Sequence, residues 1–181
     1  MVSLKSKIVQ NVLSYFFLQE DSSLYVNEMV RLLKVDRGNL IKKLKSLEKE
    51  GIFSSEFRGN QKYFFLNKRY PLLKEYKNII LKTIGFEKKI QELLRDLKGI
   101  KEVYIFGSYA KDKMDLSSDI DLLVIGKQDT IELQRRISKL QEQINREINV
   151  ISIEDKEFQR KRKNKDPFII NILRERKIKL L

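Results

Sequence analysis

The segment Asp119-Ile120-Asp121-Leu122-Leu123-Val124-Ile125 opens on two acids and closes on an unbroken apolar run, and few backbone conformations satisfy both. In an extended strand successive side chains alternate between faces, so Asp119 and Asp121 share one face while Ile120 and Leu122 point to the other. The apolar end needs burial, which sets two carboxylates at the margin of a core. Like charges that close repel, and burying them is costly unless a cation joins them. Oxygen donors alone suit Mg2+ or Mn2+. The chain has no Cys and no His, so zinc sites, iron–sulfur clusters, disulfides, Cys nucleophiles and Ser-His-Asp triads are excluded. A strand edge showing two solvated aspartates is the plainer alternative.

The preceding strand, Val103-Tyr104-Ile105-Phe106, stops at Gly107-Ser108, and ten residues separate Ser108 from Asp119. Small residues at such a strand-to-helix turn let backbone N–H groups and a hydroxyl approach phosphate oxygens closely. The expectation is a metal and nucleotide site: Gly107 and Ser108 bind the nucleotide, and Asp119 and Asp121 are metal ligands and catalytic residues. The substrate is a nucleoside triphosphate, attacked in line at its α-phosphate. No Gly-Lys-Ser/Thr loop and no Gly-x-Gly-x-x-Gly occurs, so other phosphate motifs fail. Around this pair the pattern gives a helix over Glu87–Leu97. A second helix spans Thr130–Asn145, with Ile131, Leu133, Ile137, Leu140 and Ile144 inward. A strand follows over Glu147–Ile153, then a helix over Phe168–Arg174 and a short apolar tail. The run Arg160-Lys161-Arg162-Lys163-Asn164-Lys165 reads as a solvated helix end or a grip on nucleic acid.

These motifs resemble the polymerase-β-like nucleotidyltransferase superfamily, and the spacing matches its minimal members. The resemblance covers about residues 87 to 153 and implies that Gly107 and Ser108 hold the phosphates while Asp119 and Asp121 bind the metals. Active members carry a third carboxylate on a later strand, commonly the general base. Here Asn149 stands at that position, with Glu147 one residue pair earlier on the same face. The departure favours binding over turnover. The minimal antitoxins of this superfamily, which modify a HEPN-type toxin, imply a partner toxin protein and a protein hydroxyl as acceptor.

The first half reads differently. Leu4, Ile8, Val12 and Tyr15 fall at helical spacing, and Val26–Leu33 forms a second helix with Met29, Val30, Leu32 and Leu33 mostly inward. Asp36 caps a third helix with Leu40, Leu44 and Leu47 on one side, ended by Gly51. Ile52–Phe57 and Lys62–Leu66 read as two strands around Arg58-Gly59-Asn60-Gln61. Three helices and a hairpin make a winged helix-turn-helix, whose third helix fits the major groove of double-stranded DNA while the wing reaches the backbone. Arg37, Asn39, Lys42 and Lys43 are the groove candidates, with Arg58 and Lys62 on the wing. A protein-docking module kept soluble by its lysines has the same pattern. Residues 24 to 70 resemble the winged helix of ArsR- or MarR-type regulators, a resemblance that implies a homodimer.

Charge agrees with a polyanionic partner. Residues 1 to 85 carry 16 Lys plus Arg against 8 Asp plus Glu, a net of +8 within a chain total of +13, although a solvated basic surface also fits. The expected organisation is α+β: residues 1–70 a winged helix, 71–85 a connecting helix packed between domains or across a dimer, and 86–181 a small mixed-sheet nucleotidyltransferase domain. With no signal pattern and no apolar run near the roughly 18 residues of a membrane span, a cytoplasmic location without membrane contact is expected. Two functions emerge: a DNA-binding protein that transfers a nucleoside monophosphate to an acceptor, and a transcription regulator whose degenerate transferase domain senses nucleotide.

Overall fold

The structure, a computed structural model, describes residues 4–115 and 118–181. The chain divides into two compact units, Met1–Lys88 and Lys89–Leu181. In the first, α1 (Lys7–Leu18) is followed by β1 (Leu24–Tyr25), α2 (Val26–Leu33), α3 (Arg37–Lys49), β2 (Phe53–Arg58), β3 (Gln61–Leu66) and α4 (Leu73–Thr83). β2 and β3 pair antiparallel around the two residues Gly59 and Asn60, and β1 adds to the other side of β3. Gly59 takes φ +59, the left-handed conformation that so tight a turn requires.

Spacing explains what each helix buries. α1 sinks Val9, Val12, Leu13 and Phe16, positions i, i+3, i+4 and i+7 of one helical face, and Phe16 meets Phe53 of β2 edge to face at 4.8 Å. α3 buries Leu40, Leu44 and Leu47, and the Asp36 carboxylate accepts from the Asn39 backbone N–H at 2.8 Å, capping the helix as its sequence predicts. In α2 only Met29 is buried, and Leu32 is exposed; the four apolar positions fan out around too much of the helix circumference to share one contact face. The two-residue β1 lies just ahead of α2, too short for its own periodicity to register in the sequence. α4 packs against α1 within the first unit, burying Ile80 and Leu81 while Ile79 stays exposed.

α5 (Phe86–Arg95) crosses the division. The second unit continues with β4 (Ile100–Phe106), α6 (Gly107–Ala110), β5 (Ile120–Gly126), α7 (Thr130–Ile144), β6 (Ile148–Ile153), α8 (Asp155–Lys163), α9 (Pro167–Arg174) and β7 (Ile178–Lys179). The sheet runs β6-β5-β4-β7, with β5 and β6 parallel and the other pairs antiparallel. It is the mixed sheet expected, and parallel β5 and β6 require the long crossover that α7 supplies. β5 is central and nearly all buried, as its apolar run demands.

On one face of that sheet, Leu123, Ile125 and Ile153 form a core with Phe158 of α8 and with Ile169 and Ile172 of α9. Asp121 belongs to this same face by alternation, one strand position beyond the apolar cluster. Within α7, Leu133, Ile137, Leu140 and Ile144 are buried, but Ile131 is 81% exposed. It sits in the first turn beside the Asp129 cap, where helical spacing alone overstates burial. Among the described residues no helix is long and apolar enough to cross a membrane.

Candidate functional site

Three strands bring the site together. Asp121 lies opposite Phe106 of β4 in the antiparallel register and opposite Asn149 of β6 in the parallel one. Gly107 follows Phe106 directly, and Asp119 immediately precedes β5, so the strand begins at Ile120 rather than at the first acid. Gly107 adopts φ +70, and a Cβ there would collide with Oδ2 of Asp121. Two reasons therefore fix glycine: L side chains avoid that backbone region, and the Asp121 carboxylate fills the space where a methyl would go. Ser108 is half-buried in the first turn after it.

Electrostatics shows Asp121 held against its preference. The Asp121 carboxyl is pushed above its ordinary value, first by burial and then by the charge of Asp119, while a hydrogen bond from the Asn149 side chain pulls it back down. A low-dielectric site with two nearby carboxylates favours a cation. The donors are oxygens only, so their chemistry fits Mg2+ or Mn2+. Among the described residues no cluster of three acidic, His or Cys ligands exists. Asn149 itself is exposed, and Glu147 is exposed one pair earlier, its backbone carbonyl accepting from Ile120 N at 3.0 Å.

Arg146 was not singled out by the sequence, and its position explains how the first aspartate is held. It follows Asn145, whose left-handed backbone ends α7, and its side chain is buried at 8% exposure. One guanidinium nitrogen donates to the Asp115 carbonyl at 2.8 Å and to the Ser118 carbonyl. The segment entering Asp119 is thus anchored to the start of β6. An arginine just ahead of a strand carries no periodicity and no motif, so nothing in the sequence marked it. Arg146→Met, which keeps the apolar stem, is expected to cost about 1.5–3 kcal/mol of stability, the worth of charged hydrogen bonds, measured by urea unfolding. On the other side of the turn, Lys111 Nζ meets Glu175 at 2.5 Å and ties the end of α6 to the end of α9.

The nucleic-acid candidates of the first unit sit on α3 and the hairpin. Arg37, Asn39 and Lys42 are exposed, and Lys43 is half-buried. The two wing cations already hold carboxylates: Arg58 pairs with Glu56 and lies 4.6 Å from the centre of the Tyr63 ring, and Lys62 pairs with Glu48 of α3 at 2.8 Å. The hydrogen bonds from Lys62 and then Ser55 hold the Glu48 carboxyl below its ordinary value. The run at 160–165 forms the end of α8, with Lys161 turned to Asp166 at 3.5 Å.

A mixed sheet that delivers a glycine-serine turn onto paired aspartates defines a protein of the nucleotide-transferring class. Residues 87–180 match the family model of the nucleotidyltransferase domain, and the chain belongs to that family: it is a nucleotidyltransferase. No curated protein matches. Among solved structures, a toxin–antitoxin with AMP-PNP is 22% identical, with 52% of this chain and 72% of that chain covered and a TM-score of 0.40. A tri-AMPylated Shewanella oneidensis HEPN toxin in complex with MNT antitoxin is 21% identical, with 52% and 68% covered and a TM-score of 0.35.

Proposed function

We propose that the protein transfers a nucleoside monophosphate from a nucleoside triphosphate to a protein hydroxyl, and that its first unit binds double-stranded DNA. The observation that carries the transfer is the contact of Gly107 with the Asp121 carboxylate. It sets the turn that would receive phosphates against the pair of acids that would hold Mg2+. Such ions supply charge screening at the α-phosphate and at the departing pyrophosphate. In this reading Asp119 and Asp121 hold the metal, while the Gly107 backbone and the Ser108 hydroxyl hold the phosphate oxygens. Arg146 keeps Asp119 beside Asp121 against their repulsion. The acceptor oxygen forms the new P–O bond, pyrophosphate leaves, and the hydroxyl proton passes to solvent or to a neighbouring base. The protein acceptor rests on the resemblance to minimal antitoxins.

The DNA reading is supported by element order: helix, strand, two helices and a hairpin closing a three-stranded sheet, the order of a winged helix. α3 presents Asn39 and Lys42 to solvent on the side away from its buried leucines, Arg37 is exposed in its first turn, and the net charge of this half favours a polyanion.

The test of transfer is incubation with labelled triphosphates, Mg2+ and candidate acceptor proteins, wild type against Asp119→Asn. Label lost in the variant supports the reading. Label absent from every acceptor, with nucleotide bound and DNA affinity altered by it, sinks transfer. Asn149 favours that second function, a regulator that senses nucleotide, because it puts an amide where a third carboxylate would serve as base. Asn149→Asp separates the two. Beside Asp121 a new carboxylate adds repulsion, so melting temperature falls without metal and recovers with Mg2+. Transfer rises by roughly a hundredfold if the missing acid is the base.

A further inference from the structure

We infer that α9 carries the nucleobase subsite, with Phe168 as the surface on which the base stacks and Asn171 as the group that reads its edge. The inference rests on the phosphate site proposed above and names what lies beside it.

Asp121 points to the face of the sheet that α8 and α9 cover, so whatever binds at Asp121 has α9 for a wall. The apolar cluster beneath α9 uses Ile169 and Ile172, with Leu173 packed against it. Phe168 is left out of that core and is 45% exposed, an unusual place for a large aromatic side chain. Its position is nonetheless fixed. The Asp166 side chain accepts from the Phe168 and Ile169 backbone N–H groups at 3.1 and 3.2 Å, and Pro167 opens the helix. The ring meets Phe106 edge to face, with centroids 6.3 Å apart.

Phe106 is the register partner of Asp121 and the residue before Gly107. The exposed part of the Phe168 ring is therefore an aromatic surface in contact with the residue that leads directly into the phosphate turn. Asn171 stands three residues on, so its exposed amide neighbours the ring on the helix surface. Arg174 continues the same ridge. Aromatic stacking surfaces accept any base, and an adjacent amide, with one acceptor and two donors, is suited to choosing among them. The far end of α9 is tied to α6 by the Lys111–Glu175 pair, so the wall and the turn are held together.

The chain contains no Trp, which makes Phe168→Trp a single fluorescent reporter at the subsite. Mg2+·ATP is expected to quench it, and Mg2+·tripolyphosphate, which has no base, to leave it unchanged. In parallel, Phe168→Ala is expected to weaken ATP binding by roughly tenfold or more while leaving tripolyphosphate affinity as in wild type. Asn171→Asp is expected to alter the ranking of ATP, GTP, CTP and UTP. If Phe168→Ala leaves ATP affinity unchanged, or lowers ATP and tripolyphosphate equally, the subsite is overturned and the phosphate site stands. A loss confined to acceptor binding also overturns it, and makes α9 a protein-docking face instead. Failure of both ligands to bind wild type removes the phosphate site and the subsite with it.

Discussion

Asp119→Asn is expected to reduce transfer from labelled ATP by roughly a thousandfold, the scale on which removal of one group that stabilises transition-state charge is felt. The protein should remain folded. Asp119 precedes β5 and makes none of its ladder bonds, and the substitution relieves the repulsion that adds to burial in raising the Asp121 carboxyl. Stability therefore holds or rises while activity disappears, a separation that a change in packing would not give. Mn2+ binding followed by electron paramagnetic resonance supplies the direct reading, with the wild-type signal of bound ion lost in the variant. Residual transfer near the wild-type rate would show that Asp119 is not a metal ligand.

Reversing Arg37, Lys42 and Lys43 together to Glu is expected to weaken DNA binding by at least about a hundredfold at physiological salt, because three attractions to phosphate become repulsive. The salt dependence should flatten at the same time, since each phosphate no longer neutralised takes about 0.9 from the logarithmic slope. Arg37 and Lys42 are exposed and Lys43 half-buried, and the buried leucines that hold α3 to its unit are untouched, so the fold should survive. Unchanged affinity by fluorescence anisotropy would remove α3 from the interface. Reversal of Arg58 and Lys62 should do less, because both must first release Glu56 and Glu48.

What could be read from the sequence divides along physical lines. Buried periodic stretches were legible: the apolar run of β5, the stripe of α1 and the cap at Asp36 each follow from the neighbours along the chain. So was the glycine-serine turn, since its residue types and its interval to the aspartates carry the pattern by themselves. The misses concern β1, too short to show a period, and apolar residues in end turns, such as Ile131 and Leu32. They also concern pairings between distant segments. Nothing near position 146 predicts that its guanidinium holds the approach to Asp119, and nothing near Phe168 shows that its ring stands beside Phe106. Alternation along the strand places Asn149 on the face of the missing acid, but the hydrogen bond that draws the Asp121 carboxyl back down requires the parallel register to be known.

The anchoring by Arg146 has an unequal effect on what mutation can change. Two of its acceptors are main-chain oxygens, which every amino acid supplies, so those two bonds do not depend on the side chains at positions 115 and 118, which hold each other through the Ser118 hydroxyl and the Asp115 carboxylate. At position 146 the reverse holds, because only a guanidinium offers several rigid donors from one planar group. A substitution at position 146 therefore removes both main-chain bonds at once, while one at position 115 or 118 leaves them in place and removes the local bond between those two side chains.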